Sequence, residues 1–209
     1  LEEVRFADGT VWDAEQVKTI LQQGTDGNDV LYGLQGDDVI HAGAGDDYIY
    51  AVEGNNELYG EDGNDHIIGT GVLDGGAGDD VLEGKDADTL RGGDGNDTLI
   101  AHSDTWTQNS NTLEGGKGND TIYGGFGDDT YIFNLGDGED VIIERRQGEA
   151  YSNVDASNDT LAFGEGIAAE AALAKPILGE RAEARHVVVQ RAPPVAALGL
   201  DDEIPDVSG

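Results

Sequence analysis

Large aliphatic residues recur one at a time along the middle of the chain, each framed by polar residues and glycines. Between Gly24 and Ile132 the dominant spacing is nine residues, as in the consecutive units GTDGNDVLY, GLQGDDVIH and AGAGDDYIY. Each unit joins six turn-forming residues to three strand-forming ones, and the middle residue of the three is the aliphatic one. Because side chains alternate across a strand, this pattern predicts short strands that each bury one side chain. A fixed period of this kind predicts a stack of repeated units.

The buried positions form one predicted ladder of aliphatic side chains. Its members are Leu31, Ile40, Ile49, Leu58, Ile67, Leu73, Leu82, Leu90, Leu99, Leu113 and Ile122. Burial of a leucine or isoleucine contributes about 2 kcal/mol, whereas ordering costs about 1 to 2 kcal/mol for every residue of the repeat. The ladder alone therefore falls short, so backbone pairing and a bound ligand must supply the difference.

Composition indicates the nature of that ligand. The 209 residues include 44 acidic and 11 basic ones, giving a formal charge of -33, and no cysteine. Like charges at this density oppose compaction, so we expect cations to be part of the fold, bound by oxygen rather than thiolate. Nucleic acid and anionic membrane surfaces would be repelled, and no apolar run is long enough to cross a bilayer as a helix. Because the chain lacks methionine and starts at a predicted strand, we expect it to be a segment of a larger protein.

The six turn residues of each repeat carry the chemistry for a hard cation. Glycines at the first, second and fourth positions permit backbone angles closed to other residues, so the loop curls tightly with its carbonyls turned inward. The sixth position adds a carboxylate. Calcium takes six to eight oxygen ligands at about 2.3 to 2.6 Å, which two stacked loops can offer and one loop cannot.

The resulting pattern, G-G-x-G-x-D-x-U-x with U a large aliphatic residue, resembles the RTX (haemolysin-type) calcium-binding nonapeptide repeat. This resemblance implies an all-β fold, a right-handed parallel β-roll with short mixed α/β caps, in which Ca²⁺ ions lie between successive coils. Two nonapeptides make one coil, so loops eighteen residues apart stack on the same side.

The two predicted rows of loops differ in how well they keep the pattern. The first row comprises residues 24–29, 42–47, 60–65, 75–80, 92–97 and 115–120, with residues 135–140 (LGDGED) as a candidate seventh loop. The second row comprises residues 33–38, 51–56, a truncated GTG, a shortened KDAD, an insertion ending at Asn111, and residues 124–129. We therefore predict about five Ca²⁺ ions in the first row and few in the second.

The predicted ligands lie at the first, third, fifth and sixth loop positions of the first row, with three further aspartates. They are Gly24, Asp26, Asn28, Asp29, Ala42, Ala44, Asp46, Asp47, Gly60, Asp62, Asn64, Asp65, Gly75, Ala77, Asp79, Asp80, Gly92, Asp94, Asn96, Asp97, Gly115, Lys117, Asn119 and Asp120 of the first row, Asp38 and Asp129 of the second row, and Asp140 of the candidate seventh loop.

The segments on either side of the repeats predict caps. Residues 1–23 are expected to form a strand, a turn and a helix capped by Asp13 with Gln16, residues 24–140 the roll, and residues 141–209 a C-terminal flank. The stretches FADGTVWD, GDDTYIFNLGDGEDVIIE and NDTLAFGEGI resemble segments of haemolysin-type calcium-binding-related proteins. In the tail, His186 to Gln190 predicts one edge strand, and the last fifteen residues predict a linker or disorder.

These patterns favour a non-enzymatic, calcium-responsive folding module of a secreted protein. The RTX resemblance implies a chain that stays unfolded in low cytosolic calcium, leaves the cell by type I-like export, and folds outside next to other domains of its parent protein. An alternative is an adhesin, or a polysaccharide-binding accessory module similar to those of alginate epimerases, in which tyrosines or Trp106 contact a glycan or another cell-surface ligand. An enzyme is disfavoured, because the sequence contains neither H-E-x-x-H nor G-x-S-x-G.

Overall fold

The computed structural model of the chain describes residues 3–86, 88–102, 109–145, 158–165, 167, 172–176 and 184–191. These residues form a parallel β-solenoid of about six turns with very little helix, which confirms the predicted fold class. In chain order the elements are β1 (Glu3–Arg5), β2 (Val11–Asp13), α1 (Ala14–Leu21), β3 (Val30–Tyr32), β4 (Val39–Ala44), β5 (Tyr48–Asp62), β6 (His66–Ala77), β7 (Val81–Gly84), β8 (Thr89–Asp94), β9 (Thr98–Ala101), β10 (Thr112–Lys117), β11 (Thr121–Gly125), β12 (Thr130–Phe133), β13 (Asp140–Arg145), β14 (Thr160–Phe163), β15 (Ala172–Pro176) and β16 (Ala184–Arg191).

The solenoid has two strand faces joined by the two rows of loops. The first face contains β3, β7, β9, β11 and β13, and the second face contains β4, β8, β10, β12 and β14. Strands β5 and β6 are long enough to run through both faces. Every pairing among strands β3 to β14 is parallel, and its register is continuous except for shifts between Ala51 and Asn56 in β5 and between Tyr123 and Gly125 in β11.

The length of a coil varies along the roll. Consecutive sixth-position residues of the first row are 18, 18, 15, 17, 23 and 20 residues apart. The predicted coil of eighteen residues is therefore confirmed for the first two coils. The coils of 15, 17 and 23 residues contain second-row loops of altered length, at residues 69–71, 84–88 and 101–111. Loops of the first row keep six residues throughout.

The predicted aliphatic ladder forms the core. All of its side chains, from Leu31 to Ile122, are buried, and most are completely inaccessible to solvent. Tyr131, Phe133 and Ile142 extend the buried ladder towards the C-terminal end. There the ring of Phe133 meets that of Phe163 edge to face, with 6.2 Å between the ring centroids. From β3 to β11 each strand contributes one large aliphatic side chain to this narrow interior, and the long strands β5 and β6 contribute two each.

The N-terminal cap consists of the antiparallel β1–β2 hairpin followed by α1. The predicted capping box at the start of α1 is confirmed: Asp13 Oδ1 accepts from the backbone N of Gln16 at 2.9 Å, and Gln16 Oε1 accepts from the backbone N of Asp13 at 3.0 Å. After α1, the carbonyl of Gln22 accepts from the backbone N of His41 at 3.0 Å, and a parallel bridge joins Gln23 to His41. The chain therefore enters the roll already in parallel register.

Two antiparallel strands extend the first face at the C-terminal end. Strand β16 pairs with β13 on one side and with β15 on the other. The predicted strand at His186 to Gln190 is confirmed within β16, but the expectation of an edge strand is wrong, because β15 lies outside it. Strand β14 pairs with β12, so the parallel stack continues beyond residue 140. The division into three domains stays a prediction, while Trp106 and the last fifteen residues lie outside the described residues.

Candidate metal centre

The sixth-position aspartates of the first row stack in register along the roll. The backbone N of each one donates to Oδ1 of the aspartate in the next loop, at 2.7 to 3.0 Å. This series of bonds runs without interruption through Asp29, Asp47, Asp65, Asp80, Asp97, Asp120 and Asp140. The candidate seventh loop at residues 135–140 therefore stacks on the first row as the sequence suggests.

The second carboxylate oxygen of most of these aspartates is buried without a donor. Among the described residues, this holds for Oδ2 of Asp47, Asp65, Asp80, Asp97 and Asp120. At the end of the row, by contrast, Asp29 Oδ2 accepts from the backbone N and Oγ1 of Thr25 at 2.6 and 2.8 Å. A buried acceptor left without a donor costs about 1 to 3 kcal/mol, and more when it is charged. The unpartnered oxygens thus lie inside the row, where a cation would satisfy them.

Burial also shifts the titration of these groups in the metal-free chain. It raises the pKa of Asp65 to about 6 and the pKa of Asp80, Asp97 and Asp140 to about 7. Loss of solvation is the largest cause, neighbouring carboxylates add to it, and the inter-loop hydrogen bonds oppose it only in part. A divalent cation beside these carboxylates would favour the ionised form instead.

Glycine at the first loop position lets oxygens of two loops approach one another. A Cβ atom on Gly75 would lie 2.3 Å from Asp80 Oδ2 and 2.6 Å from the carbonyl oxygen of Gly92 in the next loop. Gly60 is surrounded in the same way by the carboxylate of its own loop and the carbonyl of the next. Any side chain would fill this space. Convergence of hard oxygens from two loops is what calcium requires, so the residues present fit this ion.

The first loop position is not glycine throughout the first row. Ala42 carries its methyl group into the core, where it is fully buried, and Leu135 of the seventh loop is exposed. The other predicted first-position ligands are the glycines Gly24, Gly60, Gly75, Gly92 and Gly115.

The predicted third-position ligands already take part in hydrogen bonds between loops. The fourth-position N–H of one loop donates to the third-position carbonyl of the next, at 2.7 to 2.8 Å for Asp62, Ala77, Asp94 and Lys117. Each carbonyl retains a second lone pair for an ion.

The fifth-position side chains form a second ladder of hydrogen bonds, which the repeat pattern alone did not predict. In this ladder Oδ1 accepts from the backbone N of the next loop at 2.7 to 3.1 Å, for Asn28, Asp46, Asn64, Asp79, Asn96 and Asn119. The sequence contains a signal for this ladder, because all six of these fifth positions are asparagine or aspartate. The fifth-position ladder runs on the exposed side of the loops and in the opposite donor direction to the sixth-position aspartates.

The second row stacks in the same manner but offers fewer carboxylates. The backbone N of Asp38 donates to Oδ1 of Asn56 at 3.0 Å, and that of Asp88 to Oδ1 of Asn111 at 3.0 Å. The truncated loop at residues 69–71 contributes no sixth-position side chain. The predicted difference between the rows is therefore visible in the charge of the stacked side chains, while the number of ions stays a prediction.

The last loops of the second row return to aspartate. The backbone N of Asn111 donates to Oδ1 of Asp129 at 2.8 Å, and that of Asp129 donates to Oδ1 of Asp159 at 3.2 Å. Asp159, which was not among the predicted site residues, thus adds one more stacked aspartate to the second row.

Side chains alone do not form a metal-binding group in the described part of the chain. No three His, Asp or Glu side chains converge there on one point, so an ion in the first row needs backbone carbonyls besides the carboxylates. Three histidines contact glutamates at the outer surface: His41 Nδ1 lies 2.8 Å from Glu61 Oε1, and Nε2 of His66 and of His102 lie 2.9 and 3.0 Å from the Glu83 carboxylate. Each of these three imidazoles therefore has a glutamate within hydrogen-bonding distance.

Buried carboxylates that stack at every coil of a parallel solenoid, with glycine turns between them, define a calcium-binding β-roll. The chain belongs to the RTX calcium-binding nonapeptide repeat family, whose model matches residues 23–58, 49–71, 72–88, 84–105 and 107–142. None of the curated proteins matches the chain. The repeats of this family bind Ca²⁺, and the roll that they form is a structural module. No helix in the described residues has the length and apolar character needed to cross a bilayer.

Proposed function

We propose that the chain is a calcium-dependent folding and stabilisation module of a larger secreted protein. The observation that carries this proposal is the series of five buried Oδ2 atoms without donors, at Asp47, Asp65, Asp80, Asp97 and Asp120. Stacked at successive coils, these carboxylates repel one another and lose solvation in the absence of a cation. A bound Ca²⁺ ion would offset the repulsion and the lost solvation, and each carboxylate would then be a ligand of the ion.

The ions are proposed to lie in the gaps between stacked first-row loops. Sixth-position carboxylates and first-position carbonyls, such as Asp80 and the carbonyl of Gly92, would hold them. The seventh loop, ending at Asp140, adds a sixth gap to the five counted from the sequence.

Calcium binding and folding are proposed to be one event. A site with free calcium at ten times its dissociation constant stabilises the fold by about 1.4 kcal/mol, so five sites contribute about 7 kcal/mol. This equals a large part of the net stability of an ordinary domain, which is about 5 to 15 kcal/mol. A roll with such a thin core would therefore lose most of its stability with its ions.

Export and extracellular folding follow from the same balance. RTX repeat proteins are typically secreted, and the formal charge of -33 opposes compaction wherever free calcium is scarce. We infer that the chain remains unfolded and export-competent in the cytosol, and that extracellular calcium then folds it. Its partners would be Ca²⁺ and the neighbouring domains of the parent protein.

The test is a calcium titration of the full chain after exhaustive removal of metal. We expect far-ultraviolet circular dichroism to show a cooperative gain of strand, and small-angle scattering to show compaction at the same calcium concentration. Magnesium is the control, because it prefers six tightly held ligands and retains its waters. A chain that has its full strand content without metal, and that calcium neither stabilises nor compacts, would contradict the proposal.

A second candidate function is glycan binding on the first face. Tyr32 and Tyr50 are 60% and 39% exposed, with 6.4 Å between their ring centroids, and aromatic surfaces of this kind suit sugar rings. Titration of the folded chain with neutral and acidic glycans in calcium tests this candidate, with Tyr32→Ala as the variant for the first face and Trp106→Ala as the variant for the insertion at residues 101–111. Absence of binding by the unmodified chain would remove it.

A further inference from the structure

The second row begins at Asp38, whose side chain is completely buried. No loop precedes it in the second row, so Asp38 Oδ1 has no backbone N–H of a preceding loop from which to accept a hydrogen bond. Asp38 Oδ1 accepts instead from Nε2 of Gln22 at 2.5 Å, while its Oδ2 accepts from the backbone N of Leu34 at 2.6 Å. Gln22, directly after α1, thus takes the hydrogen-bonding place of a preceding loop.

A cation from α1 reaches the same carboxylate. The Nζ of Lys18 lies 3.1 Å from Asp38 Oδ1 and donates to the carbonyl oxygen of Asp37 at 2.8 Å. Residues 37 and 38 are the fifth and sixth positions of their loop, which are two of the four positions at which the first-row loops have predicted calcium ligands. The ammonium group therefore takes one carbonyl and one buried carboxylate, which are the two kinds of oxygen that a bound ion would use.

The first row closes in a different way. Asp29 Oδ2 accepts from the backbone N and Oγ1 of Thr25 in its own loop, and Asp29 forms no ion pair among the described residues. The cation at Asp38 is therefore a specific feature of the second row, and not a general consequence of ending a roll.

We propose that Lys18 is a built-in substitute for calcium, an internal cation with which the N-terminal helix closes the second row. The cap then docks through the Lys18–Asp38 ion pair and Gln22, and the outer side of loop 33–38 takes no Ca²⁺. This inference rests on the proposed function in one respect only, since it assumes that the other stacked carboxylates use calcium. The ion pair itself does not depend on that assumption.

The experiment uses the full chain at saturating calcium and two measurements. Native mass spectrometry counts the Ca²⁺ ions bound to each chain. Hydrogen exchange reports docking of the cap at the His41 amide, which donates to the carbonyl of Gln22. The variants are Lys18→Met, Lys18→Arg and the double variant Lys18→Met/Asp38→Asn. Lys85→Met is the matched control, because the Lys85 side chain is 33% exposed against 30% for Lys18, and it also pairs with a carboxylate, that of Glu83.

Lys18→Met should leave Asp38 with a buried charge that lacks a cation. We expect the His41 amide to exchange about tenfold faster, or one additional Ca²⁺ to bind in place of the ammonium. Lys18→Arg should behave as the unmodified chain does. The double variant should restore slow exchange and the original ion count, because an uncharged side chain at residue 38 needs no cation. Its oxygen can accept from the Leu34 N–H, and its NH₂ can donate to Gln22 Oε1 once the Gln22 amide is turned over.

Two results would overturn the proposal. One is a Lys18→Met chain with the same ion count and the same His41 exchange as the unmodified chain. The other is faster exchange that Asp38→Asn fails to reverse, since a purely packing role of the lysine stem would give that result. If the unmodified chain binds no calcium at all, the proposed function fails, whereas the comparison of His41 exchange still decides the role of Lys18.

Discussion

Asp80→Asn removes one negative charge from the middle of the first row while preserving the shape of the side chain. Oδ1 of the asparagine can still accept from the backbone N of Asp65, which donates to it at 2.7 Å. The atom that changes is Oδ2, which is buried, has no donor, and faces the carbonyl of Gly92 across the space at Gly75. An amide N–H at that position can pair with a carbonyl but cannot bind a cation. The substitution therefore removes a ligand without removing the stacking bond.

The expected loss of stability depends on the calcium concentration. If one site is lost, the free energy of unfolding falls by about 1.4 kcal/mol at ten times the dissociation constant and by about 2.7 kcal/mol at one hundred times. The difference between the variant and the unmodified chain should thus grow by about 1.4 kcal/mol for each tenfold rise in free calcium. A packing defect would instead cost the same amount at every concentration. The slope, rather than the size of the loss, identifies Asp80 as a ligand.

The assay is urea unfolding followed by circular dichroism in a series of calcium buffers. Asp79→Asn is the control, because it removes the same charge one residue away, on an exposed side chain, and keeps the backbone carbonyl through which the fifth position is predicted to contact an ion. Its Oδ1 would still accept from Asn96, and Asn64 and Asn96 already occupy the same position in the adjacent loops. We expect the control to keep the calcium dependence of the unmodified chain. Equal slopes for Asp80→Asn and the unmodified chain would refute the assignment of Asp80 as a ligand.

Three further predictions follow from the geometry of the loops. Gly75→Ala should destabilise the calcium-bound roll by about 1 to 3 kcal/mol in thermal unfolding, because its Cβ would meet two oxygens, whereas Gly27→Ala should be nearly neutral, because no atom lies within 4 Å of its Cβ. Glu61→Gly should raise the melting temperature, because Glu61 has a φ of 77° and glycine adopts this left-handed conformation without strain. The relief contributes about 1 kcal/mol, which is more than the stability lost with the exposed contact between Glu61 and His41. A lower melting temperature would contradict this prediction. Folding raises the pKa of Asp65, Asp80 and Asp97 from 3.8 to about 6 or 7. The metal-free roll should therefore lose stability as the pH rises from about 4 to 7, while its apparent calcium affinity should rise over the same interval. Circular dichroism in metal-free and in calcium buffers measures both changes.

The sequence predicted those parts of the fold that the repeat itself encodes. A period of nine residues specifies which residues stack on which, so the aliphatic ladder, the two rows and the register of Asp29 to Asp120 could all be predicted from it. The seventh loop could be predicted for the same reason, because LGDGED retains the glycines at the second and fourth positions and the aspartate at the sixth. Contacts between the repeats and the flanking segments follow no period. The spacing of residues therefore could not predict the pairing of β13 with β16 or the contact of Lys18 with Asp38. Local strain at Glu61 was likewise hidden, since nothing in a nine-residue pattern marks which non-glycine residue will adopt a positive φ.

The distribution of irregularities between the two rows follows from the different demands of the rows. A first-row loop must present its carboxylate to both neighbours, because each Oδ1 accepts from the loop before it and each Oδ2 is proposed to meet an ion with the loop after it. A change of length in one such loop would break two gaps at once. In the second row, Asn56 and Asn111 show that stacking alone is maintained by neutral amides. Loops of 3, 5 and 11 residues, at 69–71, 84–88 and 101–111, are therefore tolerated there, while the strands beside them keep the parallel register on both faces. A roll built in this way can acquire new loops on one side without losing the ions on which its stability is proposed to depend.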